Sequence, residues 1–280
     1  MSRFLDNDPL IARQHKQRAH EAADKALELA PGLGQAHAAR AYLEFYEFMH
    51  ESALVDCRHA VQLAPEDDMV LNGCAFTLTG IGRTTEALGL RERLLTIEPL
   101  YSVNIVRYAQ LLMVAGRLDE AKKFLRTAET LSPSTVSKLL LRIIAIIRGE
   151  TNAALEISMQ LPFPQKEMGA AMALQGSADR NAADAALANV LANETLTSTS
   201  AYEIAQTYAL RGDLEQTLRW LERSHPGDLL FVLNDPLILR FRDDQALIAF
   251  CKKIGLPAPN ESDALSIDQI RALAANARRN

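Results

Sequence analysis

The chain has 280 residues, of which 48% are hydrophobic and 23% charged, and its formal net charge is -5. This composition is ordinary for a globular protein, and the negative charge disfavours a nucleic-acid-binding protein, which usually presents a basic face. Three cysteines without framework spacing disfavour a secreted disulfide scaffold and favour a reducing, cytoplasmic location. We expect no secretory signal, because the N-terminal residues MSRFLDNDPL contain no apolar stretch. We expect no membrane span, because the longest apolar run, residues 139–147, is short and interrupted by Arg142.

The first predicted element is a long helix that begins at the capping pair Asp8-Pro9 and continues to Ala30. Its second half has the small residues of the second helix of a hairpin, but no glycine-ended first helix precedes it. We therefore assign residues 1–33 to a partial repeat. Either this helix caps the array of helices, or the chain is a piece cut from a longer protein.

A period of 34 residues follows this helix. It is marked by four prolines, at Pro31, Pro65, Pro99 and Pro133, and by glycines and alanines in the same register, at Gly82 and Gly116 and at Ala53, Ala87 and Ala121. In the clearest copy the pattern predicts one helix from Val103 to Ala115, a turn at Gly116 and a second helix that ends before Pro133. Alternating helices of this length, with no strand pattern between them, predict an all-α chain.

This period and these positions resemble the tetratricopeptide repeat, a helix-turn-helix unit of 34 residues. The resemblance implies a right-handed superhelix, an α-solenoid of helix pairs, with C-terminal capping helices. We place repeats at residues 34–67, 68–101, 102–135 and, shortened, 136–161, with its turn at Gly149. Residues 162–224 are predicted to form two degenerate repeats, the second marked by Ala205, Tyr208 and Gly212.

The C-terminal residues depart from the repeat. Residues 225–257 are predicted to form capping helices, with a short helix starting at Asp235-Pro236 and another from Asp244 to Ile254 that ends at Gly255. Such a segment covers the apolar face of a last repeat. Residues 258–280 are predicted to be a linker and a loosely docked tail helix, opened by a capping box between Ser266 and Gln269.

A narrower resemblance rests on the order of four segments. LNGCAFTLTGIGRTTEALGLRERLLTIEPL, AGRLDEAKKFLRTAETLSP, AYEIAQTYALRGDLEQTLRWLER and NDPLILRFRDDQALIAFCKKIGLP follow one another in this chain. They are similar to the C-terminal half of bacterial proteins that join a class III adenylate cyclase or a winged-helix DNA-binding domain to tetratricopeptide repeats. The resemblance implies a regulatory role, and neither effector domain is expected within these 280 residues.

No motif predicts an enzyme, a metal site or a cofactor. His20-Glu21 and His50-Glu51 begin like a zinc-protease helix, but the second histidine is missing from both. Gly80-Ile81-Gly82 is interpreted as a repeat turn and not as a dinucleotide loop, because no strand precedes it. Cys57 and Cys74 are expected to be buried, small and close to each other.

The family resemblance implies a partner-binding groove on the concave face, lined mainly by the first helix of each pair. Among the groove positions of this family, those selected here as partner-binding residues are Tyr42, Phe45, Tyr46, Asn72, Phe76, Gln110 and Met113, with Arg107 alongside. Two interpretations are open. The aromatic residues anchor an apolar peptide while Asn72, Arg107 and Gln110 hold its backbone, or tight curvature buries the same residues in the core.

The sequence therefore predicts a non-catalytic, cytoplasmic interaction or regulatory module, in bacterial signalling or transcription regulation. Its partner is a protein or peptide, including an effector domain in cis, and not a nucleic acid or a membrane. One alternative is a self-associating scaffold that forms a homodimer. Another is a fragment of a multidomain adenylate cyclase whose catalytic domain lies outside these residues.

Overall fold

A computed structural model describes the backbone of residues 9–277 and the side chains of residues 14–276, and this part of the chain contains helices and no strand. None of these helices is long and apolar enough to cross a membrane. The first helix and the three regular helix pairs are α1 Pro9–Leu29, α2 Gly34–Tyr46, α3 His50–Leu63, α4 Asp68–Gly80, α5 Thr84–Ile97, α6 Ser102–Val114 and α7 Leu118–Leu131. Asp8, the predicted cap of α1, lies outside the described residues.

The irregular half of the array continues the alternation with shorter helices. They are α8 Thr135–Arg148, α9 Thr151–Met159, α10 Gln165–Leu174, α11 Arg180–Leu191, α12 Glu194–Thr199, α13 Ala201–Arg211 and α14 Leu214–Leu221. The short helix α12 was not predicted. Asn193 caps it by accepting a hydrogen bond from the backbone N–H of Leu196 at 3.1 Å.

The predicted turns are confirmed by backbone geometry. Gly82, Gly116, Gly149 and Gly212 all have φ between 73° and 80°, the left-handed conformation that glycine adopts without a Cβ clash. Each of these residues therefore closes the first helix of a pair and lets the second helix pack back against it.

The helix pairs bury a continuous apolar core between successive units. Ala53, Ala87 and Ala121, which share one register of the repeat, are fully buried, as is Leu125. Small residues at these contacts let neighbouring helices approach closely. The stability of the array thus comes from the 34-residue pattern itself.

After α14 the chain forms a return segment, residues 225–277. It contains α15 Pro226–Leu229, α16 Gln245–Lys253 and α17 Ile267–Ala277, with 3-10 turns at Val232–Asn234, Ile238–Phe241 and Pro259–Glu261. It contacts α13, where Arg240 Nη1 donates to the carbonyl oxygens of Ala209 and Leu210. At Asp235 the helix start predicted for this position is a 3-10 turn, with the Asp235 carboxylate accepting from the N–H of Leu237 at 2.8 Å.

The return segment does not stay at the end of the array. It runs back along the turns inside the earlier pairs, where the Asp263 carboxylate accepts from the N–H groups of Thr84 and Thr85 at the start of α5. Further along, the N–H of Leu265 donates to the carbonyl of Val114 at 2.8 Å. These bonds satisfy backbone groups that helix ends leave unpaired.

The expectation of a loosely docked tail helix was wrong. Ile267 and Ile270 of α17 are fully buried, and Arg271 donates to the carbonyl oxygens of Ile147 and Ile146 at the end of α8. The predicted capping box is present, since the N–H of Ser266 donates to Gln269 Oε1 at 2.8 Å. The helix docks because its apolar side covers turns whose apolar residues the repeats alone leave open.

Candidate functional site

The concave face is formed by the first helices of the regular pairs. Tyr42 of α2, Phe76 of α4 and Gln110 of α6 stand 34 residues apart and so occupy the same position in successive repeats. The Tyr42 and Phe76 rings are 5.5 Å apart between centroids. These equivalent positions of α2 and α4 therefore lie next to each other.

Five rings form an aromatic cluster in the middle of this face: Tyr42, Phe45, Tyr46, Phe76 and Phe231. Phe45 is fully buried, and its ring lies against the backbone of Gly80, where a Cβ atom would approach Phe45 Cζ to 2.0 Å. Phe231 comes from the return segment and packs edge-to-face on Phe76 at 5.3 Å. The chain itself thus covers the centre of its concave face.

The predicted site residues separate into three groups by exposure. Phe45 and Met113 are buried in the core, so these two side chains are packing residues and do not line an open groove. Half-buried residues are Tyr42, Tyr46, Phe76 and Gln110, and exposed residues are Asn72 and Arg107. Ring contacts join Tyr42, Tyr46 and Phe76 to Phe45. Arg107 and Gln110 line a cavity with Phe76, and Asn72 is linked to that cavity by its bond to Arg91. A binding role for the six accessible residues remains a prediction.

One end of the concave face stays open as the N-terminal hollow, a cavity of about 260 Å³ between α1, α2 and α4. Its lining is almost entirely apolar and includes Ala19, Ala38, Ala39, Tyr42 and Leu43. Met69, at its rim, leaves 70% of its surface exposed. An exposed apolar side chain beside an apolar hollow is typical of a surface that another molecule covers.

A second opening, the charged cavity, has a volume of about 320 Å³ and lies where the return segment faces α4, α5 and α6. It is lined by Phe76, Arg107 and Gln110, which the sequence predicted, and by Arg91 and Phe231, which it did not. Arg91 was missed because groove positions were taken from first helices only, whereas Arg91 lies on the second helix α5.

A signal for Arg91 was nevertheless present in the sequence. It stands 34 residues from both Cys57 and Leu125, and these two equivalents are fully buried apolar residues. Asn104 likewise shares its register with the fully buried Val70. Polar residues at core positions of two adjacent repeats indicate a place where apolar packing is not the only requirement.

Arg91 is 3% exposed and is held by neutral partners. Its Nη1 donates to Asn72 Oδ1 at 2.5 Å and to Asn104 Oδ1 at 3.2 Å, while Nε has no hydrogen-bond partner. Burial, and secondly the positive charge of Arg107, lower the pKa of Arg91 to about 10. Asp228 of the return segment also lines this cavity, and partial burial raises its pKa above its usual range.

No protein-family model matches this chain, and no curated protein matches it. Among solved structures, a tetratricopeptide repeat protein from Parabacteroides merdae superimposes with a TM-score of 0.59 at 15% identity, over 84% of this chain and 93% of that one. The fold is that of a tetratricopeptide-repeat protein. A structure reported for the functional characterization of Pseudomonas aeruginosa pilF is also similar, with a TM-score of 0.51 and 17% identity over 76% of this chain and 91% of that one.

Within this tetratricopeptide fold the remaining motifs have structural partners. His20 Nε2 lies 2.9 Å from Glu47 Oε1, and Cys57 and Cys74 are buried free thiols, with Cys74 Sγ 3.5 Å from the carbonyl of Cys57. Among the described residues, no three histidine, cysteine or acidic side chains gather as a metal site would require. The concave face and its two cavities are therefore the candidate site.

Proposed function

We propose that the chain is a non-catalytic binding module that holds an apolar segment of a protein or peptide in the N-terminal hollow. The observation that carries this proposal is the open apolar hollow with Met69 exposed at its rim, on a concave face whose centre is already covered by Phe231. A partner gains most by burying apolar surface where no side chain of the same chain competes.

The hollow suits one inserted side chain of an amphipathic helix or extended peptide. Gln35 at its edge already donates to Asp67 Oδ2 at 2.6 Å, and the Tyr42 hydroxyl donates to Tyr46 Oη at 3.2 Å. Since these polar groups are engaged within the chain, affinity comes from apolar contact with Tyr42, Leu43 and Met69. We expect exposed Asn72 to bond the partner backbone through its amide nitrogen, since its Oδ1 already accepts from Arg91.

Replacing Met69 with Glu is expected to weaken peptide binding by about tenfold or more, because a carboxylate at the rim loses hydration when the partner covers it. The measurement uses peptides selected from a displayed random library on the wild-type protein, titrated by fluorescence anisotropy. Met159→Glu is the matched control, since Met159 is similarly exposed but lies on α9. Equal binding to both variants would exclude the hollow as the binding surface.

Self-association is a second candidate function, supported by an exposed apolar row along the turns between repeats. Its members are 34 residues apart and lie at Leu29, Leu63, Ile97 and Leu131. A second copy of the chain can cover this row. We expect a concentration-dependent dimer in multi-angle light scattering that Leu63→Ser/Ile97→Ser returns to monomer. A wild-type monomer at all concentrations would rule out this function.

The cellular setting follows from the sequence resemblance. We propose a regulatory module of bacterial signalling or transcription, acting on a partner protein or on an effector domain in cis. This resemblance rests on the order of the segments, in particular NDPLILRFRDDQALIAFCKKIGLP at residues 234–257, and these residues form part of the return segment. An alternative within the same proposal is that the chain is the C-terminal part of a multidomain adenylate cyclase.

A further inference from the structure

The charged cavity differs from the N-terminal hollow in its electrostatics. Two guanidinium groups, those of Arg91 and Arg107, line it, against one carboxylate, that of Asp228. Among the described residues no carboxylate lies within ion-pair distance of either arginine. Glu98 accepts from Asn104 Nδ2 at 3.1 Å and is thereby linked to Arg91 through the Asn104 amide.

A buried cation held by neutral amides is costly unless an anion approaches it. Arg91 occupies a core position that apolar residues, Cys57 and Leu125, fill in the neighbouring repeats. The packing of the repeat therefore does not require a charge at this position. Among the described residues, Arg107 Nη1 donates only to the neutral Gln110 Oε1, at 3.2 Å. The two arginines therefore have guanidinium N–H groups left to donate to a ligand in the cavity. A planar guanidinium group can donate two parallel hydrogen bonds to a carboxylate.

The charged cavity also has an apolar part. Phe76, Leu111 and Phe231 line it, with the two rings edge-to-face. The volume of about 320 Å³ holds roughly ten water molecules, or a ligand with about as many non-hydrogen atoms. This is near the lower limit of small-molecule sites in proteins.

We infer that the charged cavity binds a carboxylate attached to a compact aromatic or branched apolar group, with Arg91 and Arg107 on the carboxylate and Phe76 and Phe231 on the apolar group. Such a ligand comes either as a free small acid or as the C-terminal residue of a peptide. Phe231 belongs to the return segment, so a bound ligand also strengthens the contact between that segment and α4.

Two matched pairs of probes test the carboxylate. The first is 3-phenylpropanoate against its neutral amide, and the second is the peptide Gly-Gly-Phe against its C-terminal amide. In isothermal titration calorimetry we expect the acid of at least one pair to bind about tenfold or more tightly than its amide. A preference in the first pair identifies a free small acid, and a preference in the second alone identifies a chain end. Equal binding of acid and amide in both pairs overturns the inference.

Arg107→Gln tests the site without disturbing the core, because Arg107 is exposed. We expect this variant to lose the preference for the acid while its circular dichroism and melting temperature without ligand stay unchanged. Arg126→Gln, which removes an exposed arginine on α7, is the matched control and retains the preference. Met69→Glu retains it too, so failure of the N-terminal hollow as a binding surface is distinguishable from failure of this cavity. An acid preference that persists in Arg107→Gln overturns the assignment.

Discussion

Replacing Phe45 with Ala is expected to lower the free energy of unfolding by about 4 kcal/mol. The Phe45 side chain is fully buried, contacts the rings of Phe76 and Phe231, and lies on the backbone of Gly80. Truncation opens a cavity at the point where two repeats and the return segment meet. Helix backbones border it and cannot collapse to fill it. Chemical denaturation followed by circular dichroism at 222 nm measures the loss.

Tyr42→Ala separates core packing from surface contact in the same cluster. Tyr42 is half-buried and its hydroxyl bonds only Tyr46, so we expect a loss of about 1 kcal/mol. A loss below about 1 kcal/mol for Phe45→Ala would contradict the placement of Phe45 in the core. If the expected difference is observed, any loss of partner binding in Phe45 variants follows from unfolding and does not identify a binding residue.

Stability is expected to fall by about 2 kcal/mol between pH 7 and pH 5 through His50 alone. His50 is 6% exposed, beside the rings of Phe45 and Phe48, and neither imidazole nitrogen has a hydrogen bond of normal geometry. Burial lowers its pKa from 6.5 to about 4, and the nearby backbone of Gly255 opposes this lowering. The unfolded chain therefore binds more protons in this range. The stability is complete above pH 6.5 and is lost as the pH falls toward 4.

His50→Leu removes the titrating group and keeps a similar apolar volume. We expect its unfolding free energy at pH 7 to match the wild type within about 1 kcal/mol and to lose about 2 kcal/mol less by pH 5. Glu51, Arg83 and Glu261 line the adjacent cavity of about 680 Å³ and remain in both proteins, so the difference between the two curves isolates His50. Parallel curves would show that His50 does not titrate below its ordinary pKa on folding.

The helices of the regular repeats could be predicted because each residue of the pattern has a local task. Gly116 ends α6 through its own backbone conformation, and Ser266 and Gln269 form their capping box within one turn. Such features depend on residues three to five apart, so they can be predicted from the sequence. The same holds for the row made by Tyr42 and Phe76, which follows directly from the 34-residue period.

The path of the return segment could not be predicted, because its contacts follow no period. Ser262 Oγ donates to the carbonyl of Leu233 at 2.6 Å, and its neighbour Asp263 reaches Thr84 far back in the chain. Nothing near Phe231 in the sequence indicates that its ring meets Phe76. Arg91 is an intermediate case. Its position in the repeat, 34 residues from Cys57 and Leu125, indicates a buried charged residue, but the cavity that it lines is visible only in the structure.

The contact between Asp263 and Thr84 has a consequence for how the protein is made. The two residues are 179 positions apart, and Arg271 is 124 positions from the Ile147 carbonyl that it bonds. An ordinary solenoid can assemble unit by unit as it leaves the ribosome, since each repeat needs only its neighbours. Here the turns of the second, third and fourth pairs are covered only after residues 263–271 have been synthesised. Emerging chains therefore keep these turns open until the return segment has been synthesised, and its docking follows the formation of the repeats.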